Sequence, residues 1–289
     1  MPSTAQALAL VAALLSAVAT IAVRRGLRGS DSYTALWINV LVGTIGFWIA
    51  VLFTGAIARP SLVGVAYFVL AGLVGTIAGR LLRFMAIERV GASVTAAVVN
   101  LNTLFSTILA IVILGEHVTL PILAGTVVIV AGAMLLSTEG RGIPFRPRRM
   151  IIPLVSAVCF GVVAILRKIG VLHVGPVLGT AVNVTTATVA FAALLLASGR
   201  RRAMSCSGRT LAWFVLAAAT ENGSVFLNIV ALSLGAVSVV VPLYATAPAF
   251  VLIFSFFFLR DVEALNARVI SGTLMIVAGV YVLTAFPNR

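Results

Sequence analysis

The sequence predicts an all-α integral membrane protein with ten transmembrane helices in two inverted five-helix repeats. First, 62% of the 289 residues are hydrophobic and only 9% are charged, with a mean hydropathy of +1.20. Second, apolar stretches of about 20 residues, each able to cross a hydrocarbon core of ~30 Å, follow one another along the chain. Third, the octet GTVVIVAG from Gly125 to Gly132 recurs as GTLMIVAG from Gly272 to Gly279. Soluble domains carry about 25% charged residues, so lipid is the expected solvent.

Ten apolar segments, separated by short polar, Gly or Pro connections, account for the predicted helices. The first is long enough to span and lacks the basic residues that open a secretory signal, so we expect it to remain in the mature protein. The segments cover about residues 4–23, 34–54, 61–86, 91–114, 119–138, 149–170, 176–198, 210–233, 236–259 and 264–285.

The longest connection, STEGRGIPFRPRRM from Ser137 to Met150, divides the chain into two halves. Its Gly, Pro and Arg residues are typical of a linker. We therefore predict a first five-helix repeat over residues 1–140, an inter-repeat linker over 141–148 and a second five-helix repeat over 149–289.

Matching motifs in the two halves indicate an internal duplication. Because five is odd, a chain that enters the first repeat from one side of the membrane enters the second from the other side. Inverted repeats are typical of secondary transporters, in which the substrate site lies between the repeats near the bilayer midplane. The matches are the two octets, FMAIERVGAS with NIVALSLGAV, LGE (Leu114 to Glu116) with LRD (Leu259 to Asp261), and VRR (Val23 to Arg25) with LRK (Leu166 to Lys168).

The glycines of the octets have a structural interpretation. Two glycines seven residues apart fall on one helix face, where small side chains let a neighbouring backbone approach closely in lipid. We expect ordinary helix packing rather than substrate contact at Gly125, Gly132, Gly272 and Gly279.

Composition excludes several other classes of protein. The formal charge is +13, but the basic residues stand singly or in short clusters between apolar segments, which favours membrane anchoring over a nucleic-acid partner. Cys159 and Cys206 form no CxxC pair, and His117 and His173 have no metal-ligand spacing. The sequence has no P-loop and no nucleophile elbow. We therefore predict no enzyme activity, no metal, no cofactor, and energy supplied by a gradient.

Taken together, the two repeats, the closing G…I..AG helices preceded by LGE or LRD, and the AIERVGAS and ALSLGAV motifs resemble the drug/metabolite transporter superfamily. Within it the chain resembles the EamA-type bacterial transporters, over essentially its whole length. The resemblance implies a multi-pass protein of the bacterial inner membrane that exports small polar metabolites, amino acids first among them, by alternating access around a central cavity. The expected partners are that small-molecule substrate and membrane lipid.

Two features depart from this family. Segment nine keeps the family's mid-helix proline as Pro248, with a second at Pro242, whereas segment four has Leu104 at the equivalent place. Proline removes a backbone hydrogen bond, so we expect segment nine to be the more deformable of the two. The family's frequent tryptophan in the first helix is absent from LLSAVA, so its substrate contact does not carry over.

Glu221 is the best-placed ionisable residue, because it lies near the middle of segment eight. A charged group inside a spanning helix is costly and by default indicates function. Two interpretations remain open: a cavity carboxylate that couples transport by exchanging a proton or binding a cation, and a fixed ion pair with an arginine of segment three.

Arg80 and Arg83 lie three residues apart, on one face of segment three. Alignment of the halves places Arg83 opposite Asn228 and Thr76 opposite Glu221. Arginine binds carboxylate and phosphate bidentately, which favours an anionic or zwitterionic substrate. The alternative is that both side chains reach the nearby membrane surface.

Uncharged polar residues supply further cavity candidates, although polar side chains also join helices in lipid. Asn100 aligns with Tyr244 across the repeats. The candidates are Asn100 and Asn102 in segment four, Tyr244 in segment nine, Asn222 and Asn228 in segment eight, and, as weaker cases, Asn39 and Asn183.

Basic residues outside the helices predict orientation. Fourteen lie in the loops after odd-numbered segments and four on the other side, so the positive-inside rule places the odd loops in the cytoplasm and both termini outside. The family resemblance implies cytoplasmic termini instead. For the pairs Arg24/Arg25 and Arg167/Lys168, surface anchoring is favoured over a gate or a substrate-attracting role.

Two rivals to a metabolite exporter remain. One is a proton-coupled exporter of cationic drugs, in which Glu221 binds the cation. The other is a non-transporting membrane scaffold or sensor. Two free guanidinium groups in the cavity would repel cations, so the positions of Arg80 and Arg83 discriminate between substrates.

Overall fold

The computed structural model describes residues 4–56, 61–90, 95, 98–137, 147–247, 249–251, 254 and 267–285. Every regular element in these ranges is a helix. The helices are α1 (Thr4–Gly26), α2 (Ser32–Thr54), α3 (Leu62–Ala71), a π-helix (Gly72–Gly79), α4 (Arg80–Val90), α5 (Asn102–Leu114), α6 (Leu120–Ser137), α7 (Pro147–His173), α8 (Pro176–Ala197), a 3₁₀ turn (Arg201–Met204), α9 (Gly208–Leu234), α10 (Val237–Tyr244) and α11 (Ala267–Ala285).

The predicted class, an all-helical membrane protein, is confirmed. Six helices of the described chain are long and apolar enough to cross a bilayer, and four shorter apolar helices accompany them. The ten crossings stay a prediction. The long helices are Thr4–Gly26, Ser32–Thr54, Leu62–Arg83, Met150–His173, Pro176–Ala197 and Gly208–Leu234, and the shorter ones are Asn102–Leu114, Leu120–Leu135, Val237–Val251 and Leu274–Leu283.

Large apolar side chains cover the outside of the bundle, and small ones fill much of its interior. Phe53 is 87% exposed and Leu62 is 85% exposed, as a lipid-facing surface requires. On α1 the buried face consists of alanines such as Ala9, Ala13 and Ala17. Small residues at an interface let helix backbones approach closely, which explains how α1 packs along the length of α9.

Exchanging the two halves of the chain turns each of the most extensively packed helix pairs into itself or into another packed pair. Helix α1 packs on α9, and its counterpart α7 packs on α3, the π-helix and α4. Likewise α10 contacts α1, and α5 contacts α7. The pairs α2 with α8, α5 with α10, and α6 with α11 each map onto themselves.

The two octets cross each other through their glycines. A Cβ atom added to Gly132 would lie 2.7 Å from the carbonyl oxygen of Gly272. One added to Gly279 would lie 2.8 Å from the carbonyl oxygen of Gly125. These two contacts are the same contact with the repeats exchanged, and each is too close for any larger residue.

Both fourth helices break at corresponding positions. The chain forms a turn at Asn100 and Leu101 before α5, and another at Ala245 and Thr246 after α10. The segment with Leu104 is thus interrupted as well, without a proline, and the greater deformability of segment nine stays a prediction. Asparagine side chains compete for local backbone hydrogen bonds, which favours a turn at Asn100 without proline.

Some predicted features lie outside the described residues. These are most of the linker (residues 141–146), the LRD motif and Pro248. The helix after the linker, α7, begins at Pro147, and proline is favoured in the first turn of a helix. The second candidate hinge residue, Pro242, is buried inside α10.

Candidate functional site

A cavity of about 80 Å³ lies between α1, α2, α4 and α9. It extends from the middle of the bundle to the end of α1, where Arg24 is exposed. Most of the wall is alanine, valine, leucine and a phenylalanine. Its polar and charged residues are Thr20, Arg24, Asn39, Arg80, Arg83 and Glu221.

An ion pair stands on the cavity wall. The Nη2 atom of Arg80 lies 3.7 Å from Oε1 of Glu221, and both side chains are largely buried, at 10% and 15% exposure. Arg80 also donates a hydrogen bond from Nη1 to Oδ1 of Asn39. The structure therefore contains the pair of Glu221 with an arginine of segment three, and this pair faces the cavity rather than lipid.

A π-helix positions Arg80. This π-helix is not predicted by the sequence. Residues Gly72 to Gly79 form the π-helix, and Arg80 opens α4 directly after it. Single π-turns inside α-helices are frequent at functional sites because they reorient the following side chains. At Gly72 an added Cβ would lie 2.6 Å from the Asn183 carbonyl oxygen, so the glycine lets α8 pack closely against this turn.

A second arginine lies inside the bundle on the other repeat. Arg167 donates to Oδ1 of Asn183 from Nη2 at 3.2 Å and from Nε at 3.4 Å. The Asn183 amide in turn lies 3.5 Å from the hydroxyl of Thr76, one helical turn before Arg80. Arg167 also interacts electrostatically with Arg80 and Glu221. The favoured surface-anchoring interpretation of Arg167 is thus wrong, because its side chain binds a buried amide.

Asn39 and Asn183 are equivalent residues of the two repeats. The stretch WINVLVGTIGF from Trp37 aligns with AVNVTTATVAF from Ala181, which places Asn39 opposite Asn183 and Thr44 opposite Thr188. The hydroxyls of Thr44 and Thr188 lie 2.8 Å apart. Asn39 accepts a hydrogen bond from Arg80, and Asn183 accepts one from Arg167.

Two candidate cavity residues, Asn222 and Tyr244, have hydrogen bonds between helices. The Asn222 amide donates to the carbonyl of Asn39 at 3.0 Å and to that of Ala218 at 2.8 Å. Ser224 donates to the Ala12 carbonyl and lies 3.3 Å from the hydroxyl of Tyr244. Because Asn222 already donates to two carbonyls and Tyr244 contacts a serine hydroxyl, both side chains link α9 to its neighbours.

Other candidate cavity residues have polar groups without a hydrogen-bond partner among the described residues. The Nδ2 atoms of Asn100 and Asn228 are buried and have no hydrogen-bond partner in the described chain. Asn102 accepts a hydrogen bond from Thr103 at 3.2 Å. Arg83 lines the cavity, half-buried, and forms no salt bridge with any described residue.

On the side of the bundle opposite the cavity mouth, two charged residues, Glu116 and Lys168, bind helix ends. Both oxygens of the Glu116 carboxylate accept backbone hydrogen bonds, from Val237 at 2.7 Å and Ser238 at 3.0 Å, at the start of α10. Lys168 donates to the carbonyls of Leu232 and Gly235, both at 2.7 Å, at the end of α9. Lys168 is therefore a helix-capping residue here, not a surface anchor.

The sequence favours a surface position for Arg24 and Arg167 and makes Asn39 and Asn183 weaker candidates. The structure exposes Arg24 at the cavity mouth but bonds Arg80 to Asn39 and Arg167 to Asn183. The sequence does relate the two asparagines, because they are equivalent positions of the internal repeat. Their contacts with Arg80 and Arg167 are not visible in the sequence, because these contacts depend on packing between distant helices.

A charged cavity between two repeats of a helical membrane bundle is typical of transport proteins for small molecules. A protein-family model described as the EamA-like transporter family matches residues 3–138 and again residues 149–285. The chain belongs to this family. No curated protein matches it. A solved structure described as "Crystal structure of protein" is similar in fold, with a TM-score of 0.81 at 17% identity, over 99% of this chain and 98% of the other.

Proposed function

We propose that the protein is a gradient-driven secondary transporter that exports small polar metabolites, amino acids first among them, by alternating access. The observation that carries the proposal is the Arg80–Glu221 ion pair on the wall of a cavity between the two repeats. A desolvated ion pair stabilises a fold poorly, so its retention inside a membrane bundle favours a functional role.

The two rivals fit the site less well. For a cationic-drug exporter, three arginines on the cavity wall would repel the substrate, and Glu221 is already paired with one of them. For a scaffold or sensor, a charged cavity reaching from the bundle centre to its surface serves no purpose.

The halves 1–140 and 149–289, joined by the linker 141–148, are proposed as inverted repeats with five crossings each. Their family-model matches fall on the same two halves. The reciprocal glycine contacts of the octets and the Thr44–Thr188 hydrogen bond support a two-fold pseudosymmetry axis, because such contacts between equivalent residues occur on an axis.

Alternating access is supported by two equivalent arginines in different surroundings. Arg24 aligns with Arg167 in the VRR and LRK motifs. Arg24 is exposed at the cavity mouth, whereas Arg167 is bonded to Asn183 inside the bundle. If the repeats exchange conformations, Arg24 moves inward to Asn39 and Arg167 opens to the opposite face.

We propose that the protein lies in the bacterial inner membrane with the odd-numbered loops in the cytoplasm and both termini outside. This orientation rests on the excess of Lys and Arg in the loops after odd-numbered segments, fourteen against four on the opposite side. The cavity then opens toward the cytoplasm, on the side of the loop between α1 and α2.

Glu221 is the proposed coupling residue. Its carboxylate faces the cavity and holds Arg80, so adding a proton to Glu221 would release Arg80 toward the substrate. Proton binding and substrate binding would thereby be linked through one side chain.

Counterflow in proteoliposomes tests the proposed function. Labelled amino acids, a sugar phosphate and a quaternary cation are offered to the wild type and to Glu221→Gln, with Thr220→Val as the matched control. Thr220 is suitable because, within the described residues, its hydroxyl bonds to carbonyls of its own helix. Amino acid exchange by the wild type supports the proposal. Exchange of the cation alone would favour the drug exporter, and exchange of nothing would contradict transport.

A further inference from the structure

We propose that the cavity selects solutes with a net negative charge, in particular small carboxylates and acidic amino acids. This inference rests on the proposed transport function and narrows its substrate class. The cavity wall carries Arg24, Arg80 and Arg83 against the single carboxylate of Glu221.

The pairing of these groups decides which charges are left for a substrate. Glu221 is engaged by Arg80 at 3.7 Å, and Arg80 is also bonded to Asn39. Arg24 and Arg83 form no salt bridge with any residue that the structure describes. The free charges of the wall are thus two guanidinium groups.

The rest of the cavity wall strengthens the attraction of these two guanidinium groups for an anion. It consists mainly of alanine and larger apolar side chains, including Val23, Leu27 and Phe214. Apolar walls lower the local dielectric and focus the field of the charges inside a cleft. A guanidinium group binds a carboxylate through two parallel hydrogen bonds, so Arg83 is well suited to hold one carboxylate of the solute.

Arg167 is not part of the cavity wall, but its positive charge acts on Arg80 and Glu221. Its side chain is hydrogen-bonded to the neutral amide of Asn183. A substrate ammonium group would therefore meet only the already paired Glu221. A second carboxylate on the solute would instead be attracted by Arg80 and Arg24.

The size of the cavity favours a small solute. Its volume of about 80 Å³ is well below the roughly 300–1,000 Å³ of pockets that bury a drug-sized ligand.

The test compares counterflow of labelled aspartate, succinate, alanine and lysine in proteoliposomes. The variants are Arg83→Gln, Arg83→Lys and the control Arg28→Gln, which removes an exposed charge near the mouth but off the cavity wall. We expect aspartate and succinate to exchange about tenfold faster than alanine and lysine. Arg83→Gln should abolish this preference, Arg83→Lys should keep part of it, and Arg28→Gln should leave it unchanged.

Exchange of alanine or lysine as fast as aspartate would overturn the inference while leaving transport intact. Calorimetric titration of the detergent-solubilised protein with aspartate separates the remaining cases. Binding that is lost in Arg83→Gln, without any exchange, would uphold the charge preference and contradict transport. Absence of both binding and exchange would contradict the inference as well.

Discussion

At the scale of single residues, the site is organised by buried side chains that hold one another. Arg80 contacts Glu221 and Asn39, and Arg167 contacts Asn183. Removing one partner of a buried ion pair destabilises a protein more than replacing both partners with apolar residues, because the remaining charge stays buried and unpaired. Substitutions here therefore change both function and stability, and the two effects need separate measurements.

Glu221→Gln is expected to separate coupling from exchange. Glutamine keeps the size of the side chain but cannot take up a proton, so uptake driven by a pH gradient should fall about tenfold or more while counterflow persists. The measurement is labelled-substrate flux in proteoliposomes with and without the gradient. Equal responses of Glu221→Gln and wild type to the gradient would exclude Glu221 as the coupling residue.

Asn222→Ala is expected to destabilise the protein by about 1–3 kcal/mol, because it removes the hydrogen bond from α9 to the Asn39 carbonyl of α2 and a second one within α9. The apparent melting temperature in detergent measures this loss. Thr220→Val on the same helix is the control. If Asn222→Ala lowers substrate affinity but leaves the melting temperature unchanged, Asn222 binds substrate instead of joining helices.

At the scale of secondary-structure elements, the junction between α9 and α10 is held at both helix ends. Lys168 provides a positive charge for the carbonyl end of α9, and Glu116 provides a negative charge for the amide end of α10. Both charges have the sign that the helix dipole favours. The junction therefore depends on residues from α7 and from the connection after α5.

Glu116→Ala is expected to reduce the free energy of unfolding by about 1–2 kcal/mol, since it leaves the first amides of α10 without their acceptor. Thermal unfolding in detergent measures the change, and His117→Ala, at the exposed neighbouring residue, is the control. A melting temperature equal to that of the wild type would show that the cap does not stabilise the junction.

Gly132→Ala is expected to destabilise the crossing of α6 and α11. The added methyl group would lie 2.7 Å from the Gly272 carbonyl oxygen, so the helices must separate. The matched control is Gly46→Ala, because a Cβ at Gly46 meets nothing within 4 Å and alanine favours a helix. We expect a lower melting temperature for Gly132→Ala and an unchanged or higher one for Gly46→Ala; the reverse order would contradict the close crossing.

At the scale of the whole molecule, exchange of the repeats predicts which face each equivalent arginine reaches. In a background without Cys159 and Cys206, Arg24→Cys should react with an impermeant maleimide from the side of the α1–α2 loop, and Arg167→Cys should be protected. Substrate should slow labelling of Arg24→Cys and allow labelling of Arg167→Cys from the opposite face. Labelling of both from one face would contradict inverted repeats.

Much of the architecture was predictable because a bilayer restricts what a sequence can do. Segments of the required length must be helical, so the apolar runs located the helices closely: the run at 210–233 became Gly208–Leu234. The breaks at Asn100 and Ala245 and the π-helix from Gly72 were not predicted, since they depend on local hydrogen bonding that apolar length does not report.

The candidate site was predictable only in part. A charged residue in an apolar helix is visible in sequence, which singled out Glu221, Arg80 and Arg83, and all three line the cavity. Asn222 has the same sequence signature as a cavity residue, yet its side chain binds the backbone of α2. Which way a polar side chain points depends on helix rotation, and its neighbours on other helices set that rotation.

The sequence by itself determined the solvent, the helical class, the duplication and the family, because each depends on composition and order along the chain. Only the tertiary structure decided that Arg80 pairs with Glu221, that Arg167 binds Asn183 while its equivalent Arg24 lies at the cavity mouth, and that Glu116 caps α10. These contacts join residues from 16 to 141 positions apart. Such partners are selected by the packing of whole helices in lipid, where shape and hydrogen bonding rather than hydrophobicity decide which faces meet.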